Sequence, residues 1–540
     1  MSATSQLRPL PSRSKRIEAG CMDLIQVILI WISFLGYSFT QAPVPAVNEP
    51  HYLTKAYHYW NPEWCEGDLF LESANAHLVF YQTFGVLTEC CSFQAAAVIG
   101  RLIAYLLLAV GWCFCLRPLF INRWGPLLAS WIFLTVSVIG NFSGEWVIGG
   151  IESKVVAYGF LLFALGHLLR QEFCRCGVHA GLAVAFHPVV GGWGIIALAG
   201  AAMWGYFRGL NSLPWKRILV ATGLMLLFAA PGLIPALLLI GGGDPRADYL
   251  QVYFRLGHHL DPMQFPQFAW LYYAALILAW LGLRLTVPRL RVEALFTRFI
   301  LVTLLLALVG LLIGFRLGTA EEMWWSGLRT GLLKFYFFRL MDIFIPVGVG
   351  VSLTRCLLDR YTKSASSDFP FPRRLQDVVN LSIFLATLLF PYFKDGYNPS
   401  RMNPQRKQGW LDVCEWIRTN TPEETLFVTP RHTWAFTWYT GRSEYFAFKN
   451  MPQDAPSLLT WYDRYQEQQA WWDKISQASA GEVEKWPRQI PVEMIAEVKA
   501  KTNANYWVLH NSSVLPQKPI YQNKIYSVYL LNVQLESLDP

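Results

Sequence analysis

The chain has 540 residues, of which 54% are hydrophobic, 15% aromatic and 15% charged, with a mean hydropathy of +0.29 and a formal charge of +8. So much apolar surface with so few charges places it among multi-pass membrane proteins, and its 23 Trp suit anchoring at two bilayer interfaces. The positive charge does not mark a nucleic-acid binder: Lys and Arg cluster at the ends of apolar runs, and no tract joins them to the aromatic pattern of a nucleic-acid module.

A helix that crosses a bilayer needs about 20 apolar residues. "RSKRIEAGCMDLIQVILIWISFLGYSF" opens with a basic stretch, then runs apolar far enough to span, and no small-residue cleavage site follows, so it reads as an uncleaved first span after a cytoplasmic tail, residues 1–21. Runs near 22–41, 93–116, 124–142, 153–170, 177–190, 191–207, 217–240, 267–285, 297–315, 335–357 and 378–393 predict about eleven spans between residues 22 and 395. Pro188 and the glycines of "FHPVVGGWG" separate the fifth from the sixth; if 177–207 were one long span, every later loop would change sides. The stretch 71–90 is amphipathic and is expected to lie at the interface.

With the N-terminus in the cytoplasm, the inner loops "RPLFINR", "RQEFCRC", "YFRGLNSLPWKR" and "RLTVPRLR" are all basic, as is the 355–374 loop. The outer loops, including 42–92, "NFSGEWVIGGIES" and the 241–267 segment, are richer in acids, which places the two termini on opposite sides. From Gly396 onward the composition changes. "GWLDVCEWIRTN" and "PVEMIAEVKAKTN" read as helices and "TLFVTP", "SEYFAF", "NYWVLH" and "IYSVYLLNV" as strands, so 396–540 is expected to form a small soluble α/β domain in the periplasm. The ten Cys show no paired CxxC pattern for zinc, while Cys65 with Cys90 or Cys91 leaves a disulfide or free core thiols open.

Candidate chemistry collects in the outer loops. Glu49, soon after the first span, has His51 and Asp68 near it in sequence; a carboxylate there can act as general base toward a hydroxyl, and with Asp68 it can hold a divalent cation, the one cofactor these residues admit. Glu145 and Glu152 bracket "WVIGGI", and Lys154 opens the next span. His187 marks the broken helix, and Arg255 and His258 lie in "FRLGHHLD". Arg339 and Asp342 sit within an apolar run, where an unpaired charge is costly; at i and i+3 they can pair, leaving the guanidinium fork for a phosphate. "TPRHTWAFTWYTGR", with Arg431, His432 and Arg442, has residues suited to a ring-shaped polar ligand, and equally suits a strand pair with a polar rim.

The layout of a first span, a large acidic outer loop, a body of about a dozen spans and an outer C-terminal domain resembles the GT-C superfamily of integral membrane glycosyltransferases. The resemblance implies an acidic residue after the first span as the catalytic or metal-binding group, matched by "NEP" with Glu49 and more loosely by Asp68 and Glu152. It implies inversion at the anomeric carbon of a polyprenyl-phosphate sugar. Asn48 departs from the pattern, being an amide where many members carry a second acid. "NEPHYL", "GGIESK", "FHPVVGGW", "FRLMD" and the stretch 416–455 also look like a bacterial multi-pass family classed only as a domain of unknown function.

The expected function is therefore sugar transfer at the outer face of a bacterial inner membrane. Glu49, His51 and Asp68 are the expected catalytic residues, and Glu152, Lys154, His187, Arg255, His258, Arg339 and Asp342 the expected substrate contacts. Membrane lipid, a polyprenyl-phosphate sugar donor and a sugar, lipid or protein acceptor are the expected partners. A transporter of a small polar substrate and a non-catalytic scaffold are the alternatives.

Overall fold

The computed structural model describes residues 13–240, 243–286, 290–359, 373–393, 396–478 and 487–531. Residues 1–12 of the expected tail and most of the basic 355–374 loop lie outside them. Seven of the described helices are long and apolar enough to cross a bilayer: Met22–Gln41, Phe93–Leu119, Pro188–Phe207, Trp215–Leu239, Gln267–Thr286, Arg291–Gly314 and Arg339–Leu358. Shorter apolar helices, Gly125–Ile139, Ser153–Leu169, Phe173–Phe186 and Asp377–Phe393, fall on the remaining predicted runs.

Local chemistry sets the ends of these helices. Ser92 caps Phe93–Leu116 by accepting from the Ala95 N–H at 3.3 Å. His187 ends Phe173–Phe186 and its Nδ1 faces the Val190 N–H at 3.3 Å, while Pro188 opens the next helix, so the predicted break falls between two separate helices. Helix Phe173–Phe186 lies against Trp215–Ile240 so closely that a Cβ on Gly177 would stand 2.2 Å from the Ala221 carbonyl oxygen, and one on Gly181 2.4 Å from that of Met225. Small residues four apart allow such backbone approach where packing, not water, drives association.

The membrane body has one continuous apolar core. Between the first two spans the chain forms the helix Glu49–Trp60 and then several short turns. The amphipathic stretch 71–90 carries the short helices Leu78–Thr83 and Leu87–Cys90, joined by a 3-10 turn at Phe84–Val86. Cys65, Cys90 and Cys91 are free thiols.

The C-terminal region is a small α/β domain. Its strands are β1 (Leu426–Val428), β2 (Ser443–Glu444), β3 (Arg488–Gln489), β4 (Tyr506–His510), β5 (Ser513–Val514), β6 (Tyr521–Gln522) and β7 (Tyr526–Leu530). Five make a mixed sheet in the order β2-β1-β4-β7-β6, parallel from β2 to β4 and antiparallel from β4 to β6, and β3 pairs with β5. Apolar residues alternate to both faces of the sheet and feed two cores. One core takes in Ala247 and Leu250 from the loop after helix Trp215–Ile240, and Trp438 joins the membrane core. The domain is thereby seated on the loops of the body rather than tethered to it.

Candidate functional site

At that seat lies a cavity of about 490 Å³, lined by residues of the loops of the membrane body and of the C-terminal domain. Its charged wall begins with Glu152, which precedes helix Ser153–Leu169. Glu152 Oε1 accepts from the Asn48 side-chain amide at 2.7 Å, and its Oε2 lies 3.4 Å from Lys154 Nζ. Lys154 also lies 3.5 Å from Glu145 Oε2 and 4.1 Å from the centre of the Trp146 ring. Arg339 Nε is 3.3 Å from the same Glu145 oxygen, its Nη1 is 2.9 Å from His187 Nε2, and its guanidinium lies over the Tyr336 ring at 3.8 Å. The other Glu145 oxygen, Oε1, is buried and has no hydrogen-bond partner among the described residues.

Leu233, Ala236, Leu237 and Leu239 of the apolar helix Trp215–Ile240 also line the cavity, and Leu237 is 56% exposed. Five cations (Lys154, Arg255, Lys334, Arg339 and Lys449) share the cavity with three carboxylates (Glu145, Glu152 and Asp248). Lys334 is matched by Asp248 at 3.0 Å. Burial raises the proton affinity of Glu152 above the ordinary carboxylate range, against the opposing pull of Lys154 and the Asn48 amide. Burial also keeps His51 and His77 neutral at physiological pH, His77 falling to about 3. His77 bridges the Tyr52 hydroxyl and the Ser153 hydroxyl, each at 3.2 Å.

Several expected site residues are brought together here: His51, Glu152, Lys154, His187, Arg255 and Arg339 all line the cavity. Four are not. Glu49 is fully buried outside the wall: Arg101 grips it with both arms, Nε to Oε1 at 2.7 Å and Nη2 to Oε2 at 2.8 Å, and the Ala46 and Ile151 N–H groups donate to it at 2.7 and 2.9 Å. With its lone pairs so committed it lacks the access a general base needs. It holds the 149–152 turn instead, and a Cβ on Gly150 would stand 2.6 Å from the Ala46 Cβ and 2.8 Å from the Glu49 Cγ, so only glycine fits the turn.

Asp68 caps the short helix Leu69–Glu72, accepting from Phe70 and Leu71 N–H, and receives the Glu444 N–H of the C-terminal domain at 3.4 Å. Glu49 and Asp68 thus serve separate backbone segments and do not fit one divalent cation. Among the described residues no group of three or more His, Cys, Asp or Glu is placed to hold a metal.

Asp342 does not pair with Arg339. Its carboxylate accepts the Phe142 N–H at 2.6 Å, the Ser143 N–H and hydroxyl at 2.8 and 2.6 Å, and the Glu145 N–H at 3.2 Å, which pins the loop carrying Glu145. Three backbone donors outcompete one helical neighbour for the same two oxygens. His258 is exposed and off the wall, and its neighbour His259 lines the cavity and contacts the Ser143 carbonyl at 2.5 Å. In the C-terminal stretch Arg442 is buried and bonds the carbonyls of Arg418 and Thr421, a structural clamp.

Sequence reading missed Lys449, saw Asn48 only as a departure from the family pattern, and undervalued Glu145. Lys449 donates to Asn48 Oδ1 at 2.6 Å across 401 positions of sequence. No periodicity signals a pairing of that span.

The family model described as a domain of unknown function (DUF6798) matches residues 408–468, which contain Lys449 and the whole of the 416–455 stretch. No curated protein sequence matches the chain. Among solved structures the chain is similar to ArnT from Cupriavidus metallidurans in the apo state, at 12% identity over 95% of this chain and 98% of that one, with a TM-score of 0.47. It is also similar to the archaeal oligosaccharyltransferase AglB from Archaeoglobus fulgidus in complex with an inhibitory peptide and a dolichol-phosphate, at 13% identity over 92% and 70%, with a TM-score of 0.34. Likenesses at this level assign neither residues nor an activity here.

Proposed function

We propose that the chain is a glycosyltransferase that moves a sugar from a polyprenyl-phosphate donor to an acceptor hydroxyl at the outer face of a bacterial inner membrane. The observation that carries this reading is the mixed lining of the cavity: five cations together with leucines of Trp215–Ile240, an apolar helix long enough to cross a bilayer. A head group bearing phosphate suits the cations and the start of an isoprenoid chain suits the leucines.

In this reading Glu152 is the base, because it lines the cavity and burial raises its proton affinity. It takes the proton of the acceptor hydroxyl as that oxygen bonds to the anomeric carbon. The bond from that carbon to the phosphate oxygen breaks, and the phosphate leaves with the electron pair. Lys154 and Arg339 face the charge that develops on it, and the Arg339 fork suits two phosphate oxygens. Glu145 Oε2 lies between the two cations and keeps both in place. No step requires a metal.

The test supplies purified protein in lipid discs with labelled polyprenyl-phosphate sugar and a membrane extract. Wild type should transfer label, and Glu152→Gln should lose most transfer. Equal transfer by both removes Glu152 as the base. Absence of transfer by wild type, with substrate flux into vesicles, replaces the reading with a transporter.

A further inference from the structure

The cavity's surplus of positive charge has a definite location. Lys154 and Arg339 stand against Glu145 and Glu152, and Lys334 against Asp248. Arg255 and Lys449 also line the cavity, but among the described residues neither forms an ion pair with a carboxylate. Their contacts are to neutral groups. Arg255 donates from Nε and Nη2 to the carbonyls of Phe448 and Lys449 at 3.0 and 3.3 Å, and Lys449 Nζ donates to Asn48 Oδ1 at 2.6 Å.

Asn48 decides the electrostatics. Its Nδ2 donates to Glu152, so its Oδ1 is the end presented to Lys449, and a neutral amide stands where an acid would cancel the lysine's charge. Arg255 closes the π-helix Leu250–Arg255, a wide turn that recurs at functional positions. Lys449 arrives from the C-terminal domain, which is bound to Arg255 through two carbonyls, so the pair is assembled only when that domain is seated. Burial first and the neighbouring Arg255 next draw Lys449 down to about 8, against the opposing pull of Glu152.

Resting on the reading of a lipid-linked phosphate substrate, we infer that Arg255 and Lys449 form a second anion subsite and that the substrate carries two adjoining phosphates, as a diphosphate ester. Five cations against three carboxylates leave a surplus of two. A monophosphate diester brings one negative charge and a diphosphate diester two, so only the latter balances the cavity. Asn48 lies between the two subsites, bonded to Glu152 on one side and Lys449 on the other.

The test is titration of the full-length protein in lipid discs with a polyprenyl-phosphate sugar and a polyprenyl-diphosphate sugar of equal chain length, the two diesters whose charges differ by one. Wild type is expected to bind the diphosphate on the order of ten-fold more tightly, the value of one well-placed charge contact. Lys449→Gln and Asn48→Asp should each narrow that gap to within about two-fold, the first by removing the charge and the second by cancelling it, while Lys449→Arg should retain it. Equal affinity of wild type for the two lipids overturns the second subsite, as does a Lys449→Gln variant that weakens both lipids alike. Binding of neither lipid overturns the lipid-phosphate reading and the subsite with it.

Discussion

Two buried clusters of charge lie within a few residues of each other in this protein, one around Glu49 and one around Glu152. At Glu49 the balance is complete: one carboxylate, one guanidinium in fork geometry, two backbone N–H donors and no exposure to solvent. At Glu152 the carboxylate shares a cavity with a surplus of cations, and the neighbouring Glu145 keeps an oxygen without a hydrogen-bond partner among the described residues. A saturated cluster fixes a shape, and an unsaturated one is built to receive something. Both acids follow the same pattern of a carboxylate at the edge of a span, and only their partners separate them. The two are also coupled, since Glu49 holds the Ile151 N–H beside Glu152.

The sharpest break between the clusters is expected at Glu49. Glu49→Ala leaves Arg101 charged and unpaired in the core, at a cost of about 3–5 kcal/mol. Thermal unfolding in detergent should show a large drop in midpoint, and the double variant Glu49→Gln with Arg101→Met should recover much of it. An unchanged midpoint in the single variant would erase the distinction. Next in size, Glu152→Gln and Arg339→Gln should lower transfer by about 10²–10⁴-fold in the assay above, with midpoints much closer to wild type than that of Glu49→Ala. A collapse of stability in Glu152→Gln would make it a second structural acid.

Asp342→Asn should give an intermediate result. It turns part of an acceptor toward three N–H donors and loosens the Glu145 loop, at about 1–3 kcal/mol, with a fall in transfer that tracks the loss of loop order in hydrogen exchange. The smallest effect is one of pH. Glu444 is raised from near 4.5 to about 8 by burial and by Asp68 across the domain seat. The folded state therefore holds a proton that the unfolded chain releases, so this group's contribution is full below about 4.5 and is lost as pH rises toward about 8. The midpoint of wild type minus that of Glu444→Gln should fall across that window, and a flat difference would remove Glu444 from the seat's balance.

Much of the membrane body is legible in the sequence because a crossing helix must be apolar for about 20 residues whatever it packs against. The break at His187–Pro188 is equally local, as are the helix and strand patterns past Gly396. The site was legible only in part. Glu152, Lys154, His187, Arg255 and Arg339 carried signals of their own, being charged or polar residues at span ends or within apolar runs. Glu49 carried the same signal and proved to be paired. The clue lay in "VIGRLIAYL", where Arg101 interrupts an apolar run and must have a buried partner. Spacing pairs Asp342 with its helical neighbour, because it shows neighbours on one helix and hides backbone donors brought from residue 142.

The sequence by itself determined a membrane body of apolar helices, a small α/β domain after it and a pool of polar residues in the connecting loops, because hydropathy and periodicity are properties of short segments. Which of those residues face one another was decided only in three dimensions. Glu49 is matched by Arg101 from another helix, Asp342 by a loop almost two hundred positions away, and Asn48 by Lys449 from a different domain. Burial makes each of these matches obligatory, since a charge removed from water must find its partner wherever the fold supplies one.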